Sequence, residues 1–153
     1  MKILDILTPD SVVPDLAGKT KLDVLNELSA VVARAHSAIP QPRLVDVLLE
    51  REKLGSTAIG EGIAIPHGKL PYLDGVVAAF GRSGEGVDFN SLDGGPTRLF
   101  FLLVAPEDSS GAHLKALARV SRLLRNKEFR DRLLAAEGRE SLYQAIREED
   151  EKY

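Results

Sequence analysis

Three histidines, His36, His67 and His113, and one arginine set among apolar residues, Arg51, are the side chains from which chemistry near neutral pH could be assembled. Cysteine is absent, which removes thiolate catalysis, disulfides and cysteine-based zinc sites together. Neutral histidine is a competent nucleophile near pH 7, with an unperturbed pKa of about 6.5. His67 stands in Gly60-Glu61-Gly62-Ile63-Ala64-Ile65-Pro66-His67-Gly68-Lys69, where a short apolar strand is expected to stop at proline and present the imidazole. Pro66 fixes its own φ, and Gly68 is expected to supply backbone freedom beside the ring. Glycines at 60, 62 and 68 would also let backbone N–H groups approach an anion. Taken alone, Pro-His-Gly is more often an ordinary tight turn than a reactive site. Gly68-Lys69 looks like the end of a nucleotide-binding P-loop, but that motif needs four residues between its glycines and Ser or Thr after lysine. Here five residues separate Gly62 from Gly68 and Leu70 follows Lys69. The match fails.

His113 has a different setting. Ser109 or Ser110 can cap a helix starting there, which places His113 in its first or second turn. Unpaired N–H groups and the positive end of the helix dipole favour an anion at that position. An exposed histidine in a first turn fits the local pattern equally well. His36 follows a helix and precedes Ala38-Ile39-Pro40, and reads as a surface residue. Arg51 projects with Leu44, Val47 and Leu48, while Asp46, Glu50 and Lys53 share the polar face. A guanidinium on an apolar face needs a route to solvent or an anionic partner. Glu52 leans toward the same arc, so an internal ion pair and a phosphate-binding role both remain open.

These residues need a frame. Hydrophobic residues at 44% and charged residues at 28% are ordinary for a globular chain, and 153 residues suit one domain, residues 1–153. The net charge of −3 gives no basic excess for nucleic acid or anionic lipid. Apolar runs fall short of about 18 residues and Met1-Lys2-Ile3 opens no signal peptide, so no membrane insertion and a cytoplasmic location are expected. A helix is predicted from Thr20 to about Ala35, with Leu22, Leu25, Leu28 (or Ser29) and Val32 on one face. A second follows Pro40-Gln41-Pro42 and ends before Gly55, a fitting C′ glycine. Residues 56–75 abandon helical periodicity. Val76 to Phe80 and Thr97 to Val104 are predicted strands, the second buried on both faces. Ser83-Gly84-Glu85-Gly86 and Asp93-Gly94-Gly95-Pro96 supply turn chemistry between them. Helix returns from Ser109 with a stripe of Leu114, Leu117, Ala118, Ser121 and Leu124, then over about 127–136 and 139–149. The acidic end, Glu148-Glu149-Asp150-Glu151, reads as a solvated helix terminus. Helices at both ends of a group of strands predict an α/β layered domain.

Several stretches together resemble the fructose/mannitol/nitrogen-regulatory class of enzyme IIA proteins of the bacterial sugar phosphotransferase system, over nearly the whole chain. Gly60 to Lys69 looks like that family's phosphorylation-site motif, and Arg51-Glu52-Lys53-Leu54-Gly55-Ser56-Thr57 like the segment before it. Gly86-Val87-Asp88-Phe89, Ser91-Leu92-Asp93 and Val104-Ala105-Pro106 resemble the family's middle. His113-Leu114 with Leu117-Ala118 and Ser121-Arg122-Leu123-Leu124 is similar to its second-histidine helix. Ala58 departs from the glycine of many relatives, which puts the shape of the loop after Thr57 in question. The resemblance implies a three-layer α/β/α fold with a mixed central sheet, His67 as the phosphorylated residue, and His113 and Arg51 beside it as phosphoryl-group stabilisers. The implied donor is an HPr-like phosphocarrier protein. The implied acceptor is a IIB domain in sugar transport, or regulatory target proteins; the lack of a fused partner segment favours the regulatory branch. No nucleotide motif or carboxylate cluster calls for a metal, so the expected transfer needs no cofactor and no Mg²⁺. The remaining alternative is a small-anion-binding domain with no covalent intermediate.

Overall fold

The apolar run starting at Thr97 is the central strand of the molecule. The computed structural model describes residues 1–153. Its elements in chain order are β1 (Val12–Val13), α1 (Lys21–Ala35), α2 (Gln41–Lys53), β2 (Ala58–Gly60), β3 (Ile63–Ala64), β4 (His67–Leu70), β5 (Val77–Val87), β6 (Thr97–Pro106), α3 (Ser110–Leu124), α4 (Lys127–Ala135) and α5 (Gly138–Glu151). Along β6 the side chains alternate between two cores. Leu99, Phe101, Leu103 and Ala105 pack with Val120, Leu124, Phe129, Leu133 and Ile146 from the last three helices. Phe100, Leu102 and Val104 pack with Leu25, Leu28, Val32, Leu44 and Leu48 from α1 and α2. Helices therefore cover both faces of the sheet, in three layers. No helix is long and apolar enough to cross a membrane.

The sheet has six strands in the order β1-β5-β6-β3-β2, with β4 also beside β6. The β5–β6 and β2–β3 pairs are antiparallel and the others parallel, which makes the sheet mixed. Strands β3 and β4 occupy the same edge of β6 one after the other, with Ile63 opposite Leu99 and His67 opposite Leu103. The long buried strand thus fixes where His67 stands.

The start of α1 and the end of α2 agree with the caps read from sequence, while α2 begins at Gln41, with Pro42 inside its first turn rather than before it. Thr20 accepts the Asp23 N–H at 3.1 Å to start α1, and Gly55, at φ 140°, follows α2 in a conformation that favours glycine. Four expectations need correction. Ser83 to Gly86 lies inside β5, where the pairing with β6 shifts register between Arg82 and Val87; glycine there accommodates a bulge rather than a chain reversal. On α3 the buried residues are His113, Ala116, Val120, Leu123 and Leu124, while Leu114 is 64% exposed. Leu22 likewise faces solvent on α1, where Ser29 is buried beside Leu25, Leu28 and Val32. Finally, the acidic terminus is not a solvated end. Asp150 is buried, accepts the Ile3 and Leu4 N–H groups at 3.0 and 3.2 Å, and pairs with Arg119 at 2.7 Å. Glu149 is buried with Asn126 Nδ2 at 3.2 Å and Lys152 Nζ at 3.0 Å. Asp150 fastens the N-terminal turn to α5, and Glu149 ties α5 to the residue that caps α4. Ala58 is buried in β2 without a positive φ, so alanine fits there unstrained.

Candidate functional site

Helix α2 lies close against β4, and a glycine permits it. A Cβ on Gly68 would stand 2.5 Å from Val47 Cγ1, which is inside van der Waals contact. Gly68 has no positive φ. Its role is the close approach of the helix rather than the backbone freedom expected from sequence. Arg51 follows Val47 by one helical turn, so the contact that seats α2 also sets the guanidinium beside His67. Arg51 Nε donates to His67 Nε2 at 3.3 Å, and Nη1 donates to the Gly55 carbonyl at 2.9 Å. The alternative partner, Glu52, pairs instead with Lys21 at 2.9 Å.

His67 opens β4 instead of following the end of an apolar strand; Ile63–Ala64 is a separate strand that stops before Pro66. Its Nδ1 lies 2.8 Å from the Ile65 carbonyl. A carbonyl only accepts and a guanidinium only donates. The two partners together therefore assign the Nδ1–H tautomer, with the Nε2 lone pair turned toward Arg51. Burial holds the His67 pKa below the ordinary imidazole value; the Ile65 hydrogen bond opposes it, the Arg51 charge lowers it further, and Glu52 has the smallest, upward effect. Near pH 7 the ring is neutral.

His113 brings a second imidazole, its centroid 5.3 Å from that of His67 and its plane tilted by 51°. The residue is buried and Nδ1 has no hydrogen-bond partner. Double protonation would bury an N–H without an acceptor. Burial first, then repulsion from His67 when that ring is protonated and from the Lys69 ammonium, keep His113 below the ordinary imidazole value. A proton on Nε2 leaves one donor for a ligand. Ser109 occupies the N-cap of α3 but its side chain caps nothing, and the Ser110 hydroxyl accepts from Lys69 Nζ at 3.1 Å. The expected serine cap is absent, and the first-turn N–H groups have no side-chain acceptor.

Val47, Arg51, Leu54, His67, Lys69 and His113 line a cleft of about 420 Å³. Sequence reasoning brought three of these together, Arg51, His67 and His113, and passed over Lys69. The period of a strand would have found it, because Lys69 lies two residues after His67 and shares its face. His36 ends up in a separate depression with Thr8, Asp10 and Arg34. A larger groove of about 700 Å³, bordered by Arg132, Glu137, Glu140 and Gln144, contains no histidine. No three His, Asp or Glu side chains gather as a metal-ligand set.

A neutral imidazole faced by a guanidinium, a second imidazole and an ammonium, on a three-layer mixed-sheet scaffold, defines a protein suited to hold an oxyanion against histidine. The chain belongs to the family described as phosphoenolpyruvate-dependent sugar phosphotransferase system, EIIA 2, whose model matches residues 5–149. It is 42% identical over 146 residues to a nitrogen regulatory protein from Bradyrhizobium diazoefficiens, covering 95% of each chain. It is 39% identical over 150 residues to the PTS system fructose-specific EIIABC component of Bacillus subtilis, spanning 98% of this chain and 24% of that protein. Among solved structures, nitrogen regulatory protein IIA-Ntr from Neisseria meningitidis superposes with a TM-score of 0.87 at 32% identity, covering 93% of this chain and 97% of that one.

Proposed function

We propose that residues 1–153 act as one cytoplasmic phosphohistidine carrier, in which His67 Nε2 takes a phosphoryl group from a phosphohistidine of an HPr-like protein. The observation that carries this reading is the pair of hydrogen bonds on His67, whose acceptor at Nδ1 and donor at Nε2 favour a proton on Nδ1 and a lone pair on Nε2. That lone pair forms the new N–P bond while the P–N bond of the donor breaks, and its electrons stay on the donor imidazole. The Nδ1 proton remains on His67, where the Ile65 carbonyl supports the positive charge of the phosphorylated ring. When the lone pair turns to phosphorus, the Arg51 Nε–H loses its acceptor and is free to bond a phosphoryl oxygen. His113 Nε2–H, Lys69 and the first-turn N–H groups of α3 supply further donors. Such fixed donors are the main means of catalysing phosphoryl transfer, which is largely positioning and charge stabilisation.

The role best supported is regulatory, with the phosphorylation state of His67 changing which proteins the chain contacts. Similarity to a nitrogen regulatory protein along almost the full length of both chains favours it. Relay to a IIB domain for sugar uptake is the second reading, favoured by the 39% identity to part of a fructose-specific EIIABC component. Incubation with phosphoenolpyruvate, enzyme I and the cognate carrier should add the mass of one phosphate in a carrier-dependent reaction. No mass gain, with anion binding retained, would leave a plain anion-binding domain. Partners captured by the phosphorylated form and the unphosphorylated form then separate regulation from relay: differing sets of non-transport proteins support the first, a IIB domain the second.

A further inference from the structure

Glu52, the residue after Arg51, takes no part in the transfer chemistry above, yet its carboxylate is tightly held. It is 8% exposed. It accepts the Thr57 N–H at 3.1 Å and the Thr57 hydroxyl, and lies 2.9 Å from Lys21 Nζ. A buried ion pair contributes little net stability, because desolvation offsets much of the attraction. Its stronger effect is to fix the groups around it. From Thr57 the bonds continue toward the site: its carbonyl accepts the Ile65 N–H at 3.1 Å, and the Ile65 carbonyl accepts His67 Nδ1–H at 2.8 Å. On the other side of the ring, Arg51 reaches Nε2 directly and also ties down Gly55. Both nitrogens of His67 are therefore anchored to the last turn of α2. One is held through Arg51, the other through Glu52, Thr57 and Ile65.

We infer that Glu52 and Thr57 are positioning residues for His67: acting through Ile65, they hold its carbonyl on Nδ1 and so keep the imidazole in the tautomer that leaves Nε2 unprotonated. If the Ile65 carbonyl drifts, the Nδ1 bond weakens and the proton can move to Nε2. No lone pair would then face the cleft, and Nε2–H would meet Arg51 Nε–H donor to donor, which turns the ring away. The consequence for transfer rests on the carrier reading; the consequence for the tautomer does not.

Three variants isolate the effect. Thr57→Val removes the hydroxyl at nearly constant volume, and Thr57→Ser keeps it. Glu52→Gln combined with Lys21→Met neutralises the pair without leaving an ammonium unpaired. The readouts are the ring ¹⁵N shifts of His67 in the unphosphorylated protein and single-turnover transfer from a phosphorylated carrier. Wild type and Thr57→Ser should show one Nδ1–H tautomer. Thr57→Val and the Glu52→Gln/Lys21→Met protein should show a mixture of tautomers, and should transfer about tenfold or more slowly at unchanged half-saturation. Retention of a pure Nδ1–H tautomer and the wild-type rate in both would overturn the inference, whatever their thermal stability. Should the double variant not fold, the valine and serine variants decide alone. A tautomer that responds in a protein that takes up no phosphate would uphold the positioning and refute the carrier reading.

Discussion

Gly68→Ala tests how α2 is seated. The φ of Gly68 is not positive, so alanine suits the backbone, and in open space it would stabilise by about 0.4–1 kcal/mol through the unfolded chain. The Val47 methyl at 2.5 Å from the new Cβ reverses that sign. Carbon atoms pack at about 3.5–4.0 Å, so roughly 1 Å must be opened between α2 and β4. Valine in a helix has one strongly preferred rotamer, which leaves the helix rather than the side chain to move. Overpacking of this kind costs about 1–3 kcal/mol, for a net loss of up to about 2.5 kcal/mol. Arg51 rides on the same helix, 3.3 Å from His67 Nε2, so transfer should slow by roughly tenfold to a hundredfold. Removing the methyl should repair both. In a double-mutant cycle followed by urea denaturation, Val47→Ala and Gly68→Ala should couple by about 1–3 kcal/mol, the whole overpacking cost, and the pair should transfer like Val47→Ala alone. Additivity within about 0.5 kcal/mol, or a Gly68→Ala protein more stable than wild type, would refute this packing.

Other perturbations separate the groups around the cleft. Arg51→Lys should fold normally yet transfer roughly tenfold to a hundredfold more slowly, since lysine lacks the planar fork; an unchanged rate with lowered thermal stability would make Arg51 structural. His113→Ala should still take up phosphate on His67 but exchange it more slowly than His113→Gln or wild type, in single-turnover measurements in both directions. Wild-type exchange in His113→Ala would remove it from the site. Both imidazoles are held below their ordinary pKa, so in acid the unfolded chain binds more protons than the folded one. Their contribution to stability is complete above about pH 6.5 and is lost as pH falls from there through the folded-state values. Urea midpoints should fall between pH 7 and pH 5, and less steeply in His67→Gln/His113→Gln; equal slopes would contradict the burial of both rings.

How far the sequence led depended on whether a signal was local. Helix limits at Thr20 and Gly55 were readable because caps act within one turn, and the start of α2 was readable to within two residues from Pro40-Gln41-Pro42. The run from Thr97 to Val104 declared a strand buried on both faces without reference to any neighbour. The stripe on α3 was misplaced because a buried histidine breaks an apolar pattern: with His113 counted as polar, the exposed Leu114 appeared to lead the face. Ser83 to Gly86 carries turn residues, yet β6 pairs on either side of them, at Arg82 and Val87, so the stretch forms a bulge within one strand instead of a chain reversal. The burial of Glu149 and Asp150 depends on Asn126, Arg119 and the N-terminal residues, distant partners that no local pattern names. At the site, Arg51, His67 and His113 were legible as types in suggestive settings. Their meeting was not, since it depends on the Val47–Gly68 contact and on the register of β4 against β6.

The central claim is that His67 Nε2 is the atom that carries phosphate. Phosphorylate the uniformly ¹⁵N-labelled protein through phosphoenolpyruvate, enzyme I and the carrier, then combine intact mass with ring ¹⁵N and ³¹P spectra. One alkali-stable, acid-labile phosphate should appear, bonded to Nε2 of His67, with Nδ1 still protonated and no uptake by His67→Ala. A phosphate that survives acid, attaches to Nδ1, or persists in His67→Ala would contradict the account.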